Sequence, residues 1–407
     1  MGRNPIKRRE FLEKSALGFA VAATGVPAVK KTGRDQEIKN KIITRKLGRT
    51  GLELPVVSFG VMNTYSPDML HKALEMGIKH FDTAHGYLRG NSERYIGQVI
   101  EESGMRDKVI IATKMYFNRD RETGVFLTEG GGRQFGATQE DFNEQLKISL
   151  ERLRTEYVDI LYLHSCYTPE MVNFEPMMDA FVKAKKEGIA RFIGVTTHAN
   201  EPAVIRAAVD AGIYDVIEIG INYWMKDKEE IKKAAAYAAG KDIGIVAMKT
   251  VGGNDMNKEK SADINHKAAL KWVLSDKSIS TAIPGMTTFA QMDLNWSIMD
   301  EGLTLTEADM ADLERADKGQ DSLFCQGCRS CLSTCRSLVY IPNLMRAFMY
   351  AQGYGNLIQA EMTVEELPQD KGLAVCRACS SCTAVCQNGY DIKQRIGSLI
   401  SMGFGRP

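Results

Sequence analysis

The sequence lacks an excess of charge of either sign, since 52 Lys and Arg residues are balanced by 51 Asp and Glu residues. Proteins that bind nucleic acid or acidic membranes usually carry a basic excess, so we expect neither partner. Beyond the first 28 residues, no apolar run reaches the roughly 18 residues that cross a bilayer, and no membrane-spanning helix is expected. Low-complexity stretches are also missing. These absences indicate a globular protein, and its 407 residues suffice for one large core and a small second domain.

The N-terminal stretch, residues 1–28, has the pattern of an export signal. A basic start precedes a mildly apolar run from Ser15 to Val26 that ends in small residues. The segment "RREFLEK" resembles the twin-arginine (Tat) motif, although Lys7 and Glu13 depart from it. We predict export by this route to the periplasm, with residues 29–42 as a linker. The alternative is a basic helical tail on a cytoplasmic protein.

Short runs rich in β-branched residues alternate with amphipathic stretches between residues 43 and 318. The runs are "VVSFGV", "HFDTA", "VIIATKM", "DILYLHS", "RFIGVTT", "VIEIGIN", "GIVAMKT" and "TAIPGM". Eight strands, each followed by a helix, predict an α/β fold of the (β/α)8 TIM-barrel type. A doubly wound open sheet is the alternative, which the count of eight and the absence of a G-x-G-x-x-G loop after the first strand disfavour.

Titratable side chains fall at the predicted carboxyl ends of three successive strands: Asp82 with Tyr87 in the following loop, then Lys114, then His164. In a barrel these ends meet at one rim, so the four groups are expected to converge. A buried Lys–Asp pair would hold charge beside the Tyr phenol, and the Lys ammonium would lower the pKa of that phenol and make it a usable acid. His would hydrogen-bond a carbonyl oxygen. Taken singly, such residues are more often helix caps or structural groups.

Several motifs around these residues resemble the aldo/keto reductase family, over roughly residues 43–299. They are "KLGRTGLELPVVSFGVMN", "HFDTAHGY", "SERYIG", "ATKM", "DILYLHS" and "IPGMTTFAQMDLN". The resemblance implies a catalytic tetrad of Asp82, Tyr87, Lys114 and His164. It also implies an NAD(P)-dependent oxidoreductase of the EC 1.1.1 type, in which hydride passes between a nicotinamide and a carbonyl or alcohol without a metal. Tyr87 would give the carbonyl oxygen its proton.

The resemblance also locates a cofactor site, with departures from the family's pattern. Thr196 and Thr197 stand in place of a Ser-Asn pair, and Glu218 replaces a Gln. Gly285 and Gln291 replace the Lys and Arg with which NADPH users hold the 2′-phosphate, so NAD is favoured over NADP. Two glycines after the seventh strand let backbone amides approach a phosphate, or form only a tight turn. The expected cofactor contacts are Thr196, Thr197, Glu218, Asn222, Lys249, Gly252, Gly253, Gly285, Gln291 and Asn295.

A long insertion, residues 116–137, follows the third strand on the predicted active-site rim. Connections of 2–6 residues are usual at such positions, and longer ones often bind substrate. Arg119, Arg121 and Arg133 could meet a polar or sugar-like substrate, or could simply be solvated loop charges.

Eight of the nine cysteines occur in two C-terminal runs, "CQGCRSCLSTC" and "CRACSSCTAVC", each with C-x2-C-x2-C-x3-C spacing. Adjacent disulfides at this spacing would be strained, and zinc usually binds two separated Cys pairs. The spacing matches 4Fe–4S clusters in which the fourth cysteine of one run binds the other cluster. We therefore predict one cluster on Cys325, Cys328, Cys331 and Cys386, and a second on Cys376, Cys379, Cys382 and Cys335.

The segment between the two runs is helical in pattern, so residues 319–407 are expected to form a small α-helical, dicluster ferredoxin-like domain. Similar flanks, "IPNLMRAF" and "YDIKQRI", occur in known aldo/keto reductase-like proteins. Two functions follow. The first is an exported oxidoreductase whose clusters transfer electrons, with or without a redox partner protein, or serve structure. The alternative is an electron-transfer or partner-docking protein on a degenerate, non-catalytic barrel.

Overall fold

A computed structural model of the chain describes residues 42–120, 123–131, 134–252, 265–319 and 324–405. The predicted signal peptide, and the predicted linker apart from Ile42, lie outside these residues. Residues 41–407 belong to one compact unit, so the barrel and the C-terminal region can be described together.

The centre of the molecule is a parallel sheet built from the eight predicted strand runs, which are confirmed. Their side chains are mostly buried, as the β-branched composition of strands covered on both faces requires. The strands are β3 (Phe59–Gly60), β4 (His80–Asp82), β5 (Ile110–Met115), β6 (Val158–Leu163), β7 (Ala190–Thr197), β8 (Val216–Gly220), β9 (Gly244–Met248) and β10 (Thr281–Ala282). Each pairs with its neighbour in chain order.

The sheet closes on itself between its first and last strands. Ser58 N donates to Ala282 O at 2.8 Å and Ala282 N donates to Val56 O at 2.9 Å, and Gly60 forms a parallel bridge with Gly285. A hairpin of β1 (Thr44–Lys46) and β2 (Glu53–Pro55) precedes the sheet. The closed parallel sheet confirms the TIM barrel and excludes the open doubly wound alternative.

Helices surround the barrel, and their starts follow from capping residues. The side chains of Ser66, Thr138 and Asn265 accept hydrogen bonds from backbone amides of the first turn. The helices are α1 (Pro67–Met76), α2 (Asn91–Ser103), α3 (Gln139–Leu153), α4 (Pro169–Val172), α5 (Glu175–Lys186), α6 (Glu201–Ala211), α7 (Lys228–Gly240), α8 (His266–Ser275), α9 (Phe289–Trp296), α10 (Ile298–Glu301) and α11 (Glu307–Gly319).

The C-terminal region, residues 324–405, is helical and joins the barrel core. Its elements are α12 (Ile341–Phe348), a π-helix (Met349–Gly353), α13 (Leu357–Glu365), α14 (Leu373–Ala378) and α15 (Ile392–Ser401). Buried side chains such as Phe324, Leu344 and Met349 belong to the same apolar cluster as the barrel residues. The helical character predicted for this region is therefore present, and the region packs on the barrel.

Across the described ranges, no helix is both long enough and apolar enough to span a bilayer.

Candidate active site

The four residues predicted to converge do so at the carboxyl end of the barrel. Lys114, at the end of β5, is fully buried and donates hydrogen bonds to Asp82 Oδ1 at the end of β4 and, at 2.9 Å, to Thr83 O. The Lys114 ammonium lies 5.5 Å from the centre of the Tyr87 ring. The Tyr87 ring in turn meets the His164 ring edge-on at 5.8 Å. Neighbouring parallel strands bring these side chains together because their ends share one rim.

The direction expected for the Tyr87 pKa is wrong. Burial raises the pKa of Tyr87 well above its usual value, and the nearby carboxyl groups of Asp82 and Glu218 raise it further. The Lys114 ammonium does not offset these effects because its charge is held by the same carboxyl groups. Tyr87 is therefore a neutral phenol that keeps its proton until a stronger base, such as an alkoxide, forms beside it.

His164 is also a neutral group. Burial lowers its pKa well below the usual value, and the cations Lys114, Arg119 and Lys249 lower it further. The Tyr116 ring lies 5.7 Å from the His164 ring, on the insertion that follows β5. A neutral imidazole between two tyrosines can donate one hydrogen bond to a carbonyl oxygen without adding charge to the site.

Glu218 of β8 brings a second carboxyl group to Lys114, with its Oε2 atom 3.3 Å from Lys114 Nζ. Burial raises the pKa of Asp82, and burial together with the Asp82 charge raises the pKa of Glu218 to about 8. A protonated Glu218 can donate to Asp82, whose buried Oδ2 has no other donor among the described residues. One proton shared by the two carboxyls would leave Lys114 facing a single negative charge.

Lys249 follows β9 with a left-handed backbone, φ 60°, and lines the same cavity as Asp82 and Tyr87. Its ammonium lies 5.4 Å from the Tyr350 ring centre and 5.2 Å from that of Tyr354. Burial lowers the pKa of Lys249 to about 7, and the Arg346 cation acts in the same direction. Cation–aromatic contacts of this kind hold an ammonium that has little water around it.

A cavity opens beside this group at the barrel rim. Among its lining residues are Asp82, Tyr87, Glu218, Lys249, Thr250, Gly285 and Gln291. Thr250 Oγ1 is buried there and has no hydrogen-bond partner in the described part of the chain. A buried hydroxyl without a partner suits a ligand that carries hydrogen-bonding groups, so these residues fit a nicotinamide with its carboxamide.

The predicted cofactor contacts divide into two sets. Glu218, Lys249, Gly285 and Gln291 lie on the cavity wall. Of the others, Thr196 Oγ1 accepts from Ser165 N at 2.9 Å, Thr197 Oγ1 donates to Ala199 O at 2.8 Å, and Asn222 Nδ2 donates to Lys249 O at 3.2 Å. These three side chains brace the loops around the cavity. Gly252 packs against the Trp224 ring and Asn295 is buried on α9, whereas Gly253 lies outside the described residues.

The insertion after β5 holds one of its three arginines inside the protein. Arg119 is buried, donates to the backbone oxygens of Ser165 and His164, and lies 4.2 Å from the Tyr116 ring centre. The interpretation of Arg119 as a solvated loop charge is therefore wrong. Arg121 and Arg133 lie outside the described residues.

The C-terminal region supplies site residues that the sequence did not reveal. Gly353 and Tyr354 line the same cavity as Tyr87. Asn356 is buried and donates to Asn63 Oδ1 at 2.8 Å, and Asn63 also lines the cavity. The only available signal was the aromatic and glycine content of "MYAQGYGN", in a segment that resembled a simple helical link.

The C-terminal region also contacts the loop that carries Tyr87. Leu88 and Arg89 both have left-handed backbones, with φ 51° and 56°, which is unusual for consecutive residues other than glycine. Arg89 forms ion pairs with Glu361 at 3.0 Å and Glu365 at 3.3 Å on α13. Helix α13 therefore helps to hold the loop beside the tyrosine.

The cysteines of the two runs are free thiols that interact in two groups. Burial raises the pKa of Cys331 to about 12, and the neighbouring thiols of Cys325, Cys328 and Cys386 raise it as well. Burial likewise raises the pKa of Cys376 to about 12, together with Cys335, Cys382 and Cys379. Each group thus joins three cysteines of one run to the fourth cysteine of the other.

The described residues contain no group of three or more His, Cys, Asp or Glu side chains placed to hold a single metal ion. A four-iron cluster takes one thiolate on each iron, so its four sulfurs lie farther apart than the ligands of one ion. Asn388 N donates to Cys386 Sγ at 3.4 Å, and the Arg346 guanidinium donates to Cys325 O at 3.2 Å. The Asn388 amide donates to a sulfur and so suits the negative charge of a thiolate-bound cluster. The four thiols of each group match the four ligands that one such cluster takes.

Comparisons with known proteins agree with the barrel. Residues 60–268, just over half of the chain, match the family model described as the aldo/keto reductase family. L-galactose dehydrogenase of Arabidopsis thaliana is 26% identical over 298 residues, which cover 64% of this chain and 89% of that protein. An uncharacterized oxidoreductase of Bacillus subtilis, YqkF, is 29% identical over 190 residues, but the match spans only 57% of its length.

A solved structure shows the same fold. The aldo-keto reductase AKR11C1 from Bacillus halodurans, in its holo form, aligns with a TM-score of 0.54 at 22% identity and covers 67% of this chain and 96% of its own. The eight-stranded parallel barrel, its rim residues and the family match lead to one conclusion: this chain belongs to the aldo/keto reductase family.

Proposed function

We propose that this protein is an oxidoreductase that interconverts a small carbonyl compound and its alcohol with a nicotinamide cofactor. The observation that carries the proposal is the buried contact of Lys114 with Asp82, beside Tyr87 and His164 at one rim. Burying an ammonium and two carboxyl groups is costly unless they are paired, so such a group is seldom retained without a function.

The chain's own residues have separate tasks in this reaction. His164 donates a hydrogen bond that orients the carbonyl oxygen, and Tyr87 delivers a proton to that oxygen as negative charge develops on it. The Lys114 ammonium, 5.5 Å from the Tyr87 ring centre, then faces the charge left on Tyr87. A bound nicotinamide supplies or accepts the hydride at the carbonyl carbon. The reverse reaction oxidises an alcohol, with Tyr87 as the base.

The cofactor is expected to be NAD rather than NADP. Gly285 and Gln291 offer no cation to a 2′-phosphate, and both line the cavity. Glu218 would hold the cofactor's carboxamide as an acceptor, where the family pattern has a Gln. We further propose a polar substrate, sugar-like in character, because the insertion that carries Tyr116 and Arg119 lies beside His164 at the rim.

We also propose that the two cysteine groups bind two 4Fe–4S clusters and that the protein is exported by the twin-arginine route. The support is the mixed grouping of thiols from both runs together with the "RREFLEK" signal. Clusters are assembled in the cytoplasm, so an exported cluster protein needs a route that carries folded chains. Electron transfer by the clusters, with a redox partner protein, and a purely structural role are the alternatives.

Protein purified without oxygen tests this proposal. We expect about eight irons per chain, tight binding of NADH, weaker binding of NADPH in calorimetric titration, and turnover of NADH with a suitable panel of sugar aldehydes and ketones. Eight irons without binding of either dinucleotide would instead support an electron-transfer or docking protein on a non-catalytic barrel.

A further inference from the structure

The cavity beside Tyr87 has two walls that come from distant parts of the chain. One wall belongs to the barrel and holds Tyr87, Glu218 and Lys249, and the other belongs to the C-terminal region and holds Gly353 and Tyr354. The aromatic side chains on this cavity are Tyr87 and Tyr354. A planar ring bound in this cavity can therefore contact a tyrosine contributed by the C-terminal region.

The position of Tyr354 is fixed by its surroundings. The Tyr350 and Tyr354 ring centres lie 6.0 Å apart, and both rings accept the Lys249 ammonium at 5.2–5.4 Å. Two residues later, Asn356 anchors the chain to the barrel through Met62 O at 3.3 Å and Asn63 Oδ1 at 2.8 Å. Contacts on both sides of Tyr354 thus hold its segment against the barrel rim.

We infer that Tyr354 is a binding residue for the planar nicotinamide ring, which makes the C-terminal region a part of the catalytic site. This inference rests on the proposed use of a dinucleotide. Aromatic faces favour stacked or edge-on contact with another ring. The hydride-bearing ring must reach the carbonyl carbon beside Tyr87, and the cavity that joins Tyr87 to Tyr354 provides that place.

Two ligands distinguish the contact of Tyr354 with the nicotinamide ring from the contacts made by the rest of the cofactor. NAD⁺ contains the nicotinamide ring, whereas ADP-ribose shares its adenosine and pyrophosphate but lacks that ring. Calorimetric titration of the oxygen-free holoprotein with both ligands measures how much affinity depends on the ring. Three proteins are compared, namely wild type, Tyr354→Leu and the matched control Tyr354→Phe, which keeps the ring and removes the hydroxyl.

We expect Tyr354→Leu to bind NAD⁺ about tenfold more weakly than wild type and to bind ADP-ribose unchanged, since stacking on an aromatic ring commonly supplies this much affinity. Tyr354→Phe should bind both ligands as wild type does. Equal NAD⁺ affinity for wild type and Tyr354→Leu, or an equal loss for both ligands, would overturn the inference.

The same titration distinguishes this inference from the proposed function. If wild type binds neither ligand, the dinucleotide proposal fails first. If wild type binds NAD⁺ and the Leu variant is indistinguishable from it, only the role of Tyr354 is lost. Iron content and the thermal midpoint check that each variant is folded. Should Tyr354→Leu not fold, Tyr354→Met, with an unbranched apolar side chain, makes the same comparison.

Discussion

The barrel rim and the cysteine-rich C-terminal region gather their polar groups in different ways. At the rim, Lys114, Asp82 and Glu218 come from separate strands and are almost fully buried, so they must compensate one another's charge. In the C-terminal region, Cys328, Cys379 and Cys382 are exposed, and the thiols of each group lie near other cysteine thiols. A rigid sheet therefore positions the rim, whereas the clusters proposed above would fix the cysteine groups.

The largest expected effect tests the rim as a catalyst. Tyr87→Phe removes the proton donor and keeps the ring, so we expect turnover to fall about 10²–10⁴-fold. NADH affinity and cluster absorbance should stay unchanged, because the ring packing and the cysteines are untouched. Steady-state kinetics and the visible spectrum measure both. Undiminished turnover would remove the tetrad assignment.

Iron analysis of paired substitutions tests the grouping of the cysteines. If Cys331 and Cys386 serve one cluster, Cys331→Ser with Cys386→Ser should leave about four irons per chain. Cys331→Ser with Cys335→Ser should then damage both clusters and leave almost none. The reverse outcome, with four irons in the second pair, would mean that each run holds its own cluster.

Charge compensation at the rim is tested by Lys114→Met. The change leaves two buried carboxyls without their cation, so we expect the free energy of unfolding to fall by about 3–5 kcal/mol. The matched control is Lys233→Met, which removes an exposed ion pair with Glu230 and should change stability little. Chemical denaturation measures the free energy of unfolding of both variants. Similar losses in the two variants would show that the buried pairs of Lys114 contribute no more to stability than the exposed pair of Lys233.

Glu218→Gln tests the shared proton through the pH dependence of stability. The pKa of Glu218 is raised from 4.5 to about 8 in the folded chain. Between these values the folded protein keeps a proton that the unfolded chain releases, so wild type loses stability as pH rises, by up to roughly 1.4 kcal/mol per pH unit.

Glutamine cannot titrate, so the stability of the Glu218→Gln variant should lack this decline with pH. The difference in free energy of unfolding between the two proteins should level off above about pH 8. Denaturant titrations at pH 5, 6, 7, 8 and 9 measure it. Parallel curves for the two proteins across that range would contradict the assignment of a proton to Glu218.

The smallest expected effect concerns the contact between the two regions. Arg89→Ala removes the ion pairs to α13 at the half-exposed surface, and stability should fall by less than about 1 kcal/mol. Because Arg89 lies two residues after Tyr87 in a left-handed segment, turnover should still drop a few-fold. The control is Arg154→Ala, whose partner Glu101 lies on α2. Equal turnover in both variants would show that α13 does not position the tyrosine.

Much of the barrel could be predicted from the sequence. The eight runs rich in β-branched residues form strands. A parallel sheet that is covered on both faces requires mostly apolar residues, and the apolar composition of these runs is apparent in the sequence. The rim positions of Asp82, Lys114 and His164 follow from the strand ends. Their protonation does not, because the pKa of Tyr87 depends on burial and on Glu218, which arrives from a strand more than a hundred residues away.

The fold class, the family resemblance and the cysteine spacing could all be predicted from the sequence, since each depends on local pattern. Tertiary structure was needed to show that Arg119 is buried, that Glu218 and Asp82 both contact Lys114, and that Tyr354 lines the cavity beside the barrel residues. Such features depend on which distant side chains meet, and on how much water their meeting excludes. The spacing of residues along the chain shows neither the contacts between distant side chains nor the water that those contacts exclude.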